Sequence, residues 1–258
     1  MIIGPSDIIQ VRPRFNAVDP VVALAPSLWW DASNPESLRE DRAGTLRAVD
    51  GGNVGRWVAN DPRCLSQWFE ADNDALRGIY RASSPINGRP GIQMNSDAML
   101  ATLASTSMRD LTIILVYAMP FPYTTNDGRV FQMLDGASAR YVDLEAYNAA
   151  GNQIQLNWTS AGTAIGWQNP APAGPYLAVI RHTSAVQSLQ INGVERNNGS
   201  MAYQAAGNVA RVRIGQSDAG SPVEDITYSE IIVIQGIVAD AALNTVIADR
   251  RRKWGFTF

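Results

Sequence analysis

One uninterrupted apolar run decides how this chain folds: Leu111-Thr112-Ile113-Ile114-Leu115-Val116-Tyr117. Most of these residues are β-branched or aromatic, which favours a β-strand. Successive side chains of a strand point to opposite faces, so both faces of this strand would be apolar. We therefore expect a central strand that is covered on both sides by the rest of the protein.

Further short segments with strand character follow along the chain. Turn sequences separate them, such as Asn126-Asp127-Gly128 and Ala150-Gly151-Asn152. Asn192-Gly193 lies between two apolar segments and indicates a two-residue hairpin. The predicted strands cover residues 129–134, 140–147, 153–158, 176–182, 186–192, 210–215 and 227–235. Many short strands with few helices predict an all-β fold, a two-sheet antiparallel jelly-roll sandwich.

The composition excludes several classes of protein and site. The chain has 258 residues, enough to bury a large core without a disulfide or a metal ion. It contains one cysteine, Cys64, and one histidine, His182, so it cannot form a Cys/His zinc site by itself. A net charge of −3 argues against nucleic acid as a partner. We expect neither a cofactor nor a metal ion.

Composition and apolar patterning also predict the character of the surface and the location of the protein. Charged residues make up only 17% of the chain, so we expect partners to cover part of an unusually neutral surface. No apolar stretch is long enough for a membrane span. The first residues lack the cationic start and apolar run of a signal peptide, so we expect synthesis and retention in a cytoplasm, or exit by another route.

The two ends of the chain differ from its middle. Helical spacing predicts one C-terminal helix between Asp240 as N-cap and Gly255 as stop, with an apolar stripe formed by Leu243, Val246, Ile247 and Trp254. Residues 1–27 contain four prolines, which disfavour a helix and indicate an extended arm ahead of a domain at 28–258. The arm would lie along its own domain or, as we favour, dock on a neighbouring protein by strand addition.

An ordered set of landmarks in residues 28–255 resembles the concanavalin A-like lectin/glucanase (laminin-G-like) domains found in bacteriophage structural proteins. The landmarks are Leu28-Trp29-Trp30-Asp31-Ala32-Ser33, Val54-Gly55-Arg56-Trp57, Asn87-Gly88-Arg89-Pro90, Met94-Asn95-Ser96-Asp97-Ala98-Met99-Leu100, Ile113-Ile114-Leu115-Val116, Ile191-Asn192-Gly193, Ile214-Gly215, Glu230-Ile231-Ile232-Val233-Ile234 and Lys253-Trp254-Gly255. Residues 59–86 depart from the family pattern, because Ala59-Asn60-Asp61-Pro62-Arg63-Cys64 stands where a short glycine-containing loop is expected.

This resemblance implies a jelly roll of two curved antiparallel sheets, location in a virion and frequent glycan binding. The implied role is a virion structural protein of a bacteriophage, as a capsid decoration, fibre, tail or baseplate component with a lectin-like domain. Its partners would then be other virion proteins, reached through residues 1–27, and we expect a homo-oligomer in the assembly. The alternative is a host-attachment module that binds a host surface polysaccharide.

One pair of strands carries the residue types that sugars need. In residues 140–147, Tyr141, Asp143, Glu145 and Tyr147 alternate with small or apolar residues. The next strand presents Gln153, Gln155 and Asn157 on one side. Carboxylates and amides hydrogen-bond sugar hydroxyls, and aromatic rings pack on the apolar face of a pyranose. The predicted ligand-binding residues are Tyr141, Asp143, Glu145, Tyr147, Gln153, Gln155, Asn157 and Trp167, the last in a Gly- and Pro-rich loop.

Two other interpretations of this face stay open. It could be an ordinary solvated outer face of an antiparallel sheet. It could also be a hydrolase site, because Asp143 and Glu145 have the strand spacing of a retaining glycosidase pair. The glucanases of this architecture carry a further carboxylate at the position of Tyr141, so we expect binding, no enzymatic activity and no catalytic residues. Asp72-Asn73-Asp74 suggests a turn, since Leu76 and Arg77 do not fit a calcium loop.

Overall fold

The structure is a computed structural model, which describes residues 19–120, 128–137, 140–147, 153–158, 164–167, 174–183, 186–196, 207–215 and 225–258. Two α-helices lie near the ends of this part of the chain, α1 (Pro20–Ala23) and α2 (Asp240–Trp254). The strands are β1 (Leu28–Asp31), β2 (Leu38–Arg39), β3 (Asn53–Val54), β4 (Arg56–Val58), β5 (Trp68–Ala71), β6 (Gly78–Arg81), β7 (Gly91–Met94), β8 (Met99–Met108), β9 (Leu111–Met119), β10 (Gly128–Leu134), β11 (Arg140–Tyr147), β12 (Gln153–Trp158), β13 (Ala164–Trp167), β14 (Gly174–His182), β15 (Gln187–Ile191), β16 (Val194–Glu195), β17 (Gly207–Ile214) and β18 (Ile226–Gln235).

The strands form two antiparallel sheets, which confirms the predicted sandwich. Sheet A has the order β16-β15-β14-β9-β18-β7-β6-β3, with β1 also paired to β18. Sheet B has the order β13-β12-β11-β10-β17-β8-β5-β4-β2. Side chains from both sheets meet in one large apolar core, so the sheets pack face to face.

The apolar run that starts at Leu111 is the centre of sheet A. All nine residues of β9 are buried. Ile113, Leu115 and Tyr117 lie in the core between the sheets, whereas Ile114 and Val116 lie in a second apolar cluster on the outer face of sheet A. The predicted central strand with two covered faces is therefore confirmed.

Helix α2 covers this second face of sheet A. It buries Leu243, Val246 and Trp254 against the sheet and ends at Gly255, whose φ of +74° is the left-handed conformation that glycine adopts readily. The predicted N-cap is wrong by one residue. Ala239 takes that position without a side-chain hydrogen bond, and Asp240 is the first helical residue, where its carboxylate accepts a hydrogen bond from Arg181 at 2.7 Å.

A buried ionic network fixes the helix to the sheet. Glu230 of β18 is fully buried and accepts hydrogen bonds from the indole N–H groups of Trp29 at 2.9 Å and Trp254 at 2.7 Å. The guanidinium of Arg250, also fully buried, lies 3.2 Å from the same carboxylate. Lys253 bridges Glu230 and Asp31. A charge inside a protein is stable only when paired in this way, so the network specifies where α2 docks.

The described part of the predicted arm does not have the expected extended conformation. Pro20–Ala23 forms a helical turn, and the Asp19 side chain accepts a hydrogen bond from the Val21 backbone at 2.9 Å. Proline is compatible with the first turn of a helix because its missing N–H would have no partner there. Val21 is buried in the second cluster, and Asp19 pairs with Arg250. Residues 1–18 lie outside the described residues, so the division into 1–27 and 28–258 stays a prediction.

The turn prediction at Asn192-Gly193 is confirmed. Both residues have positive φ, +51° and +76°, as the two central positions of a type I′ turn require. They join β15 to β16, which pair as a hairpin. Among the described residues, no helix has the length and apolar character needed to cross a bilayer.

Candidate functional site

The outer face of sheet B carries a row of residues that are all polar except Leu100. Directly paired residues of neighbouring strands point to the same face of a sheet, so the register identifies the row. It runs Asn157, Asp143, Gln132, Arg213, Leu100, Glu70, Arg56 and Arg39. The residues that follow or precede them, such as Val142, Met133 and Val212, point into the core. The predicted polar face of β11 and β12 is thus one end of a face that extends across the whole sheet.

A β-bulge completes this row at its β11 end. Strand β10 pairs Arg129 with Glu145 and Phe131 with Leu144, so Val130 is an extra residue on β10. With regular alternation, Arg129 would share the inward face of Phe131. The bulge instead places Arg129 on the outer face beside Glu145.

This end of the face forms a buried polar cluster, made of Arg129, Gln132, Asp143 and Glu145. Their exposed fractions are only 5%, 1%, 1% and 5%. The Arg129 guanidinium pairs with Glu145 and lies 3.3 Å from the Asp143 carboxylate. Asn157 donates a hydrogen bond to Glu145 from the next strand. One guanidinium therefore serves two carboxylates in a place closed to solvent.

Gln132 has a different environment within the same cluster. Neither its amide nitrogen nor its amide oxygen has a hydrogen-bond partner among the described residues. A buried amide without partners costs free energy, because its hydrogen bonds to water are lost on folding.

The structure brings some of the predicted binding residues together. Asp143, Glu145 and Asn157 meet in the buried polar cluster or at its edge. In register, Gln155 stands opposite Glu145, and Gln153 stands opposite Tyr147. The side chains of Tyr147, Gln153, Gln155 and Trp167 lie outside the described residues. Their predicted role in binding stays a prediction.

Two of the predicted residues are placed differently from the expectation. Tyr141 does not join the polar face: it is buried in the core, and its hydroxyl donates a hydrogen bond to the Met108 carbonyl at 2.6 Å. The reason is a second bulge, because Arg140 and Val142 pair with the adjacent residues Leu134 and Met133 and leave Tyr141 as the extra residue. Trp167 does not lie in a loop but ends β13, paired with Ile154.

The opposite end of the same face is open and forms a cleft of about 390 Å³. We call it the Trp68 cleft; its polar and aromatic lining includes Arg42, Gln67, Trp68, Glu70, Asp72 and Thr102. Trp68 is 42% exposed, an unusual setting for the largest aromatic side chain. Its neighbours in β5 alternate regularly, with Phe69 and Ala71 buried and Glu70 outward.

Guanidinium groups organise the polar side of this cleft. The Cζ atom of Arg56 lies 4.5 Å from the centre of the Trp68 ring. The same guanidinium donates a hydrogen bond to the Glu70 carboxylate at 2.7 Å. Arg42 donates to the other Glu70 oxygen at 3.0 Å. Arg213 lies 3.1 Å from the Asp72 carboxylate. These contacts fix the orientation of Trp68 and of both carboxylates without removing them from solvent.

The sequence interpretation missed this cleft, although one signal was present. Trp68-Phe69-Glu70-Ala71-Asp72 alternates polar or aromatic with apolar residues, the same pattern that revealed β11. It lies in the stretch 59–86, which departs from the family landmarks. Asp72 and Asn73 lead into a short 3-10 helix, Asp74–Leu76, and the Asn73 side chain accepts a hydrogen bond from the Ala75 backbone N–H. No group of three or more metal-binding side chains occurs among the described residues.

Four tryptophans, the cysteine and the histidine are buried in the fold. Trp29, Trp30, Trp57 and Trp254 are buried. Cys64 is buried as well, and desolvation raises the pKa of its thiol to about 11, so it stays protonated and unreactive at neutral pH. His182 is fully buried in β14.

The comparisons with known proteins identify the fold and no more. The sequence matches no known family model and no curated protein. The structure is similar to domain 4 of AbnA, a GH43 extracellular arabinanase from Geobacillus stearothermophilus, with a TM-score of 0.57, 14% identity, and coverage of 86% of this chain and 97% of that one. It is also similar to Trypanosoma rangeli sialidase, with a TM-score of 0.53 and 12% identity over 86% of this chain and 32% of that one.

A third similar structure is the receptor-binding domain of botulinum neurotoxin type G, with a TM-score of 0.53, 10% identity, and coverage of 88% of this chain and 51% of that one. The present chain thus spans about a third of the sialidase chain and half of the neurotoxin domain. At these identities the three structures share a β-sandwich with this protein.

Proposed function

We propose that this protein is a carbohydrate-binding domain that holds a glycan in the Trp68 cleft of sheet B and does not hydrolyse it. The observation that carries the proposal is the half-exposed indole of Trp68 inside a cleft lined by the Glu70 and Asp72 carboxylates. An apolar ring beside fixed hydrogen-bonding groups is the combination that a sugar ring requires.

The chemistry of the cleft fits a pyranose or furanose ring. The indole face can cover the C–H groups of a sugar, while Gln67, Thr102 and the two carboxylates offer acceptors and donors to its hydroxyls. Because Arg56 and Arg42 already hold Glu70, little side-chain entropy would be lost on binding. One of the similar structures, the arabinanase domain, was solved in complex with arabinotriose, and this supports a glycan as the ligand class.

Hydrolysis by the two carboxylates at the other end of the face does not fit the proposal. Asp143 and Glu145 would be the carboxylate pair of a retaining glycosidase. Both are buried, and both face the guanidinium of Arg129, which disfavours attack on a sugar or proton transfer to it by either carboxylate. The expectation of a non-enzymatic protein comes from the sequence, where Tyr141 stands in place of a further carboxylate, and it stays a prediction.

A glycan array tests the proposal. The wild-type protein is expected to bind at least one polysaccharide class, and Trp68→Ala is expected to lower that affinity by about tenfold or more. Leu46→Ala serves as the matched control, because Leu46 is 58% exposed and does not line the cleft. Binding that survives Trp68→Ala unchanged, or no binding to any glycan, would refute the proposal.

The same array separates the two ends of the outer face. Tyr147→Ala alters the sequence-predicted site on β11 and leaves the Trp68 cleft intact. If only Tyr147→Ala abolishes binding, the glycan binds at the β11–β12 end, as the sequence predicted. If only Trp68→Ala does so, it binds in the cleft.

Location in a bacteriophage virion is the second candidate role, and the ordered landmarks in residues 28–255 favour it. We propose that the domain would then decorate a capsid, fibre, tail or baseplate, as a homo-oligomer held through residues 1–27. Assembly of phage particles with a variant that lacks residues 1–18 tests whether the N-terminal arm docks the protein. Normal incorporation of the shortened protein would show that the arm does not dock it.

A further inference from the structure

Arginine side chains hold both carboxylates of the Trp68 cleft, and one of these arginines points to a class of ligand. The lining contains two carboxylates, Glu70 and Asp72. Arg213 pairs with Asp72, whereas Glu70 is shared by Arg42 and Arg56. Of these three guanidinium groups, that of Arg42 belongs to the lining.

Arg42 is the guanidinium with capacity left for a ligand. It lines the cleft, its side chain is 39% exposed, and it makes one hydrogen bond among the described residues, from Nη2 to Glu70. A guanidinium carries five N–H donors in a planar fork, and most of those on Arg42 have no acceptor in this part of the chain. Its Nε is buried, which leaves the Nη groups for a ligand. Arg56 differs, because it is only 19% exposed and is held between Glu70 and the Trp68 ring.

Net charge does not draw an anion to this end of the face. The chain has a net charge of −3, and Glu40 and Asp41 directly precede Arg42 in the sequence. An anionic ligand would therefore depend on direct contact with the Arg42 donors.

We infer that the Trp68 cleft selects a sugar that carries an anionic group, a carboxylate or a sulfate, with its ring on Trp68 and the anion on the open fork of Arg42. This inference rests on the proposed function and narrows its ligand class. Guanidinium binds both of these oxyanions through paired N–H donors, which is why the chemistry is shared between the two groups.

The test uses two matched pairs of polysaccharide. Polygalacturonate and its methyl ester differ at the carboxylate, which esterification turns into an uncharged group, and dextran sulfate and dextran differ in the sulfate. Isothermal titration is done at about 0.15 M salt, where the Debye length is about 8 Å. Long-range attraction between the protein and a polyanion is then screened. We expect the anionic member of at least one pair to bind about tenfold or more tightly than its neutral partner. A preference in the first pair identifies a carboxylate, and one in the second identifies a sulfate.

Two variants connect that preference to the cleft. Arg42→Gln is expected to reduce the ratio between anionic and neutral ligand to near one. Arg89→Gln makes the same charge change at an exposed position in the turn between β6 and β7, and should leave the ratio unchanged. Equal losses in both variants would mean that long-range charge, and not the cleft, selects the anion.

The failure of this inference can be told from the failure of the proposed function. If neutral and anionic ligands bind equally well and Trp68→Ala weakens both, the cleft binds glycan but does not select anions. If no ligand of either pair binds and the glycan array is also empty, the proposed function itself is refuted.

Discussion

The two ends of the outer face of sheet B carry the same side-chain types in opposite settings. At the β10–β11 end, Arg129, Asp143 and Glu145 are each exposed by 5% or less. At the β4–β5 end, the side chains of Arg56 and Glu70 are 19% and 27% exposed, and Trp68 beside them is 42% exposed. Both ends pair arginine with carboxylates on one sheet surface. The difference is access to water, which decides whether such a pair maintains the fold or remains available to a ligand.

Backbone regularity differs between the two ends as well. Strand β5 alternates without interruption, so its polar residues point outward where the alternation predicts. Strands β10 and β11 each contain a bulge, at Val130 and at Tyr141. The first turns Arg129 outward toward two carboxylates, and the second turns Tyr141 into the core. The first bulge thereby adds a cation to the polar surface of β11.

The largest expected effect comes from removing the shared cation of the buried polar cluster. Arg129→Leu leaves Asp143 and Glu145 buried without their guanidinium, which should lower the free energy of unfolding by about 3–5 kcal/mol. Arg42→Leu at the open end breaks an ion pair with Glu70 in which both side chains reach solvent, and should cost about 1 kcal/mol or less. Urea unfolding followed by circular dichroism measures both.

A compensated variant checks the cause of that loss. Replacing Arg129 by Met together with Asp143→Asn and Glu145→Gln removes the buried charges along with their partner. More than half of the lost stability should return if uncompensated charge is the reason. Equal costs for Arg129→Leu and Arg42→Leu would show that the two ends do not differ in the way described.

The two ends should differ less in stability when one carboxylate at each end is replaced by its amide. Glu145→Gln leaves the Arg129–Asp143 pair in place but weakens a buried charged hydrogen bond, which should cost about 1–3 kcal/mol. Glu70→Gln should cost less than about 1 kcal/mol, because water can replace the lost interaction. Thermal unfolding of the two variants at the same pH gives the comparison, and a larger cost at Glu70 would reverse it.

The same contrast explains what the sequence could and could not predict. The run from Leu111, the turn at Asn192-Gly193 and the pairing of residues 140–147 with 153–158 follow from local patterns, because period and turn chemistry act over a few residues. The bulges at Val130 and Tyr141 leave no mark on the alternation, so Tyr141 was placed on the wrong face. Asp143 and Glu145 were correctly placed on the outer face, but their burial depends on the partner that a bulge supplies.

The Trp68 cleft illustrates a second limit. Arg42, Glu70 of β5 and Thr102 of β8 line the cleft, and Arg213 of β17 holds the Asp72 carboxylate. Strands β8 and β17 are about a hundred residues apart in the sequence, yet they pair. No local pattern states that Arg213 will meet Asp72. Pro20 shows the converse case, since proline density indicates an extended arm, yet a proline at the first position permits the helical turn of α1.

Gln132 gives a prediction in the opposite direction, toward greater stability. Its buried amide has no hydrogen-bond partner among the described residues, so Gln132→Met removes an unsatisfied polar group and keeps the side-chain length. The free energy of unfolding should rise by about 1 kcal/mol. Gln67→Met is the matched change in the open cleft, where the amide already donates to the Pro62 and Cys64 carbonyls, and it should lower stability. A loss at Gln132 would reveal an unrecognised partner for its amide.

The smallest expected effect belongs to the loop that borders the open cleft, and it depends on pH. Hydrogen bonds from the Arg63 guanidinium and backbone N–H hold the pKa of Asp61 below its ordinary value of 3.8. A carboxyl whose pKa is lower in the folded state stabilises the protein above its unfolded-state pKa, and that contribution is lost as the pH falls through the folded-state pKa. Asp61→Asn should therefore cost less than about 1 kcal/mol near pH 6, and the difference from wild type should shrink as the pH falls below 3.8 and through the folded-state pKa. Arg63→Gln removes the same pairing from the cationic side and should reproduce this pH profile in urea unfolding. A difference that grows as the pH falls would mean that Asp61 is stabilised in its protonated form, contrary to the geometry of the loop.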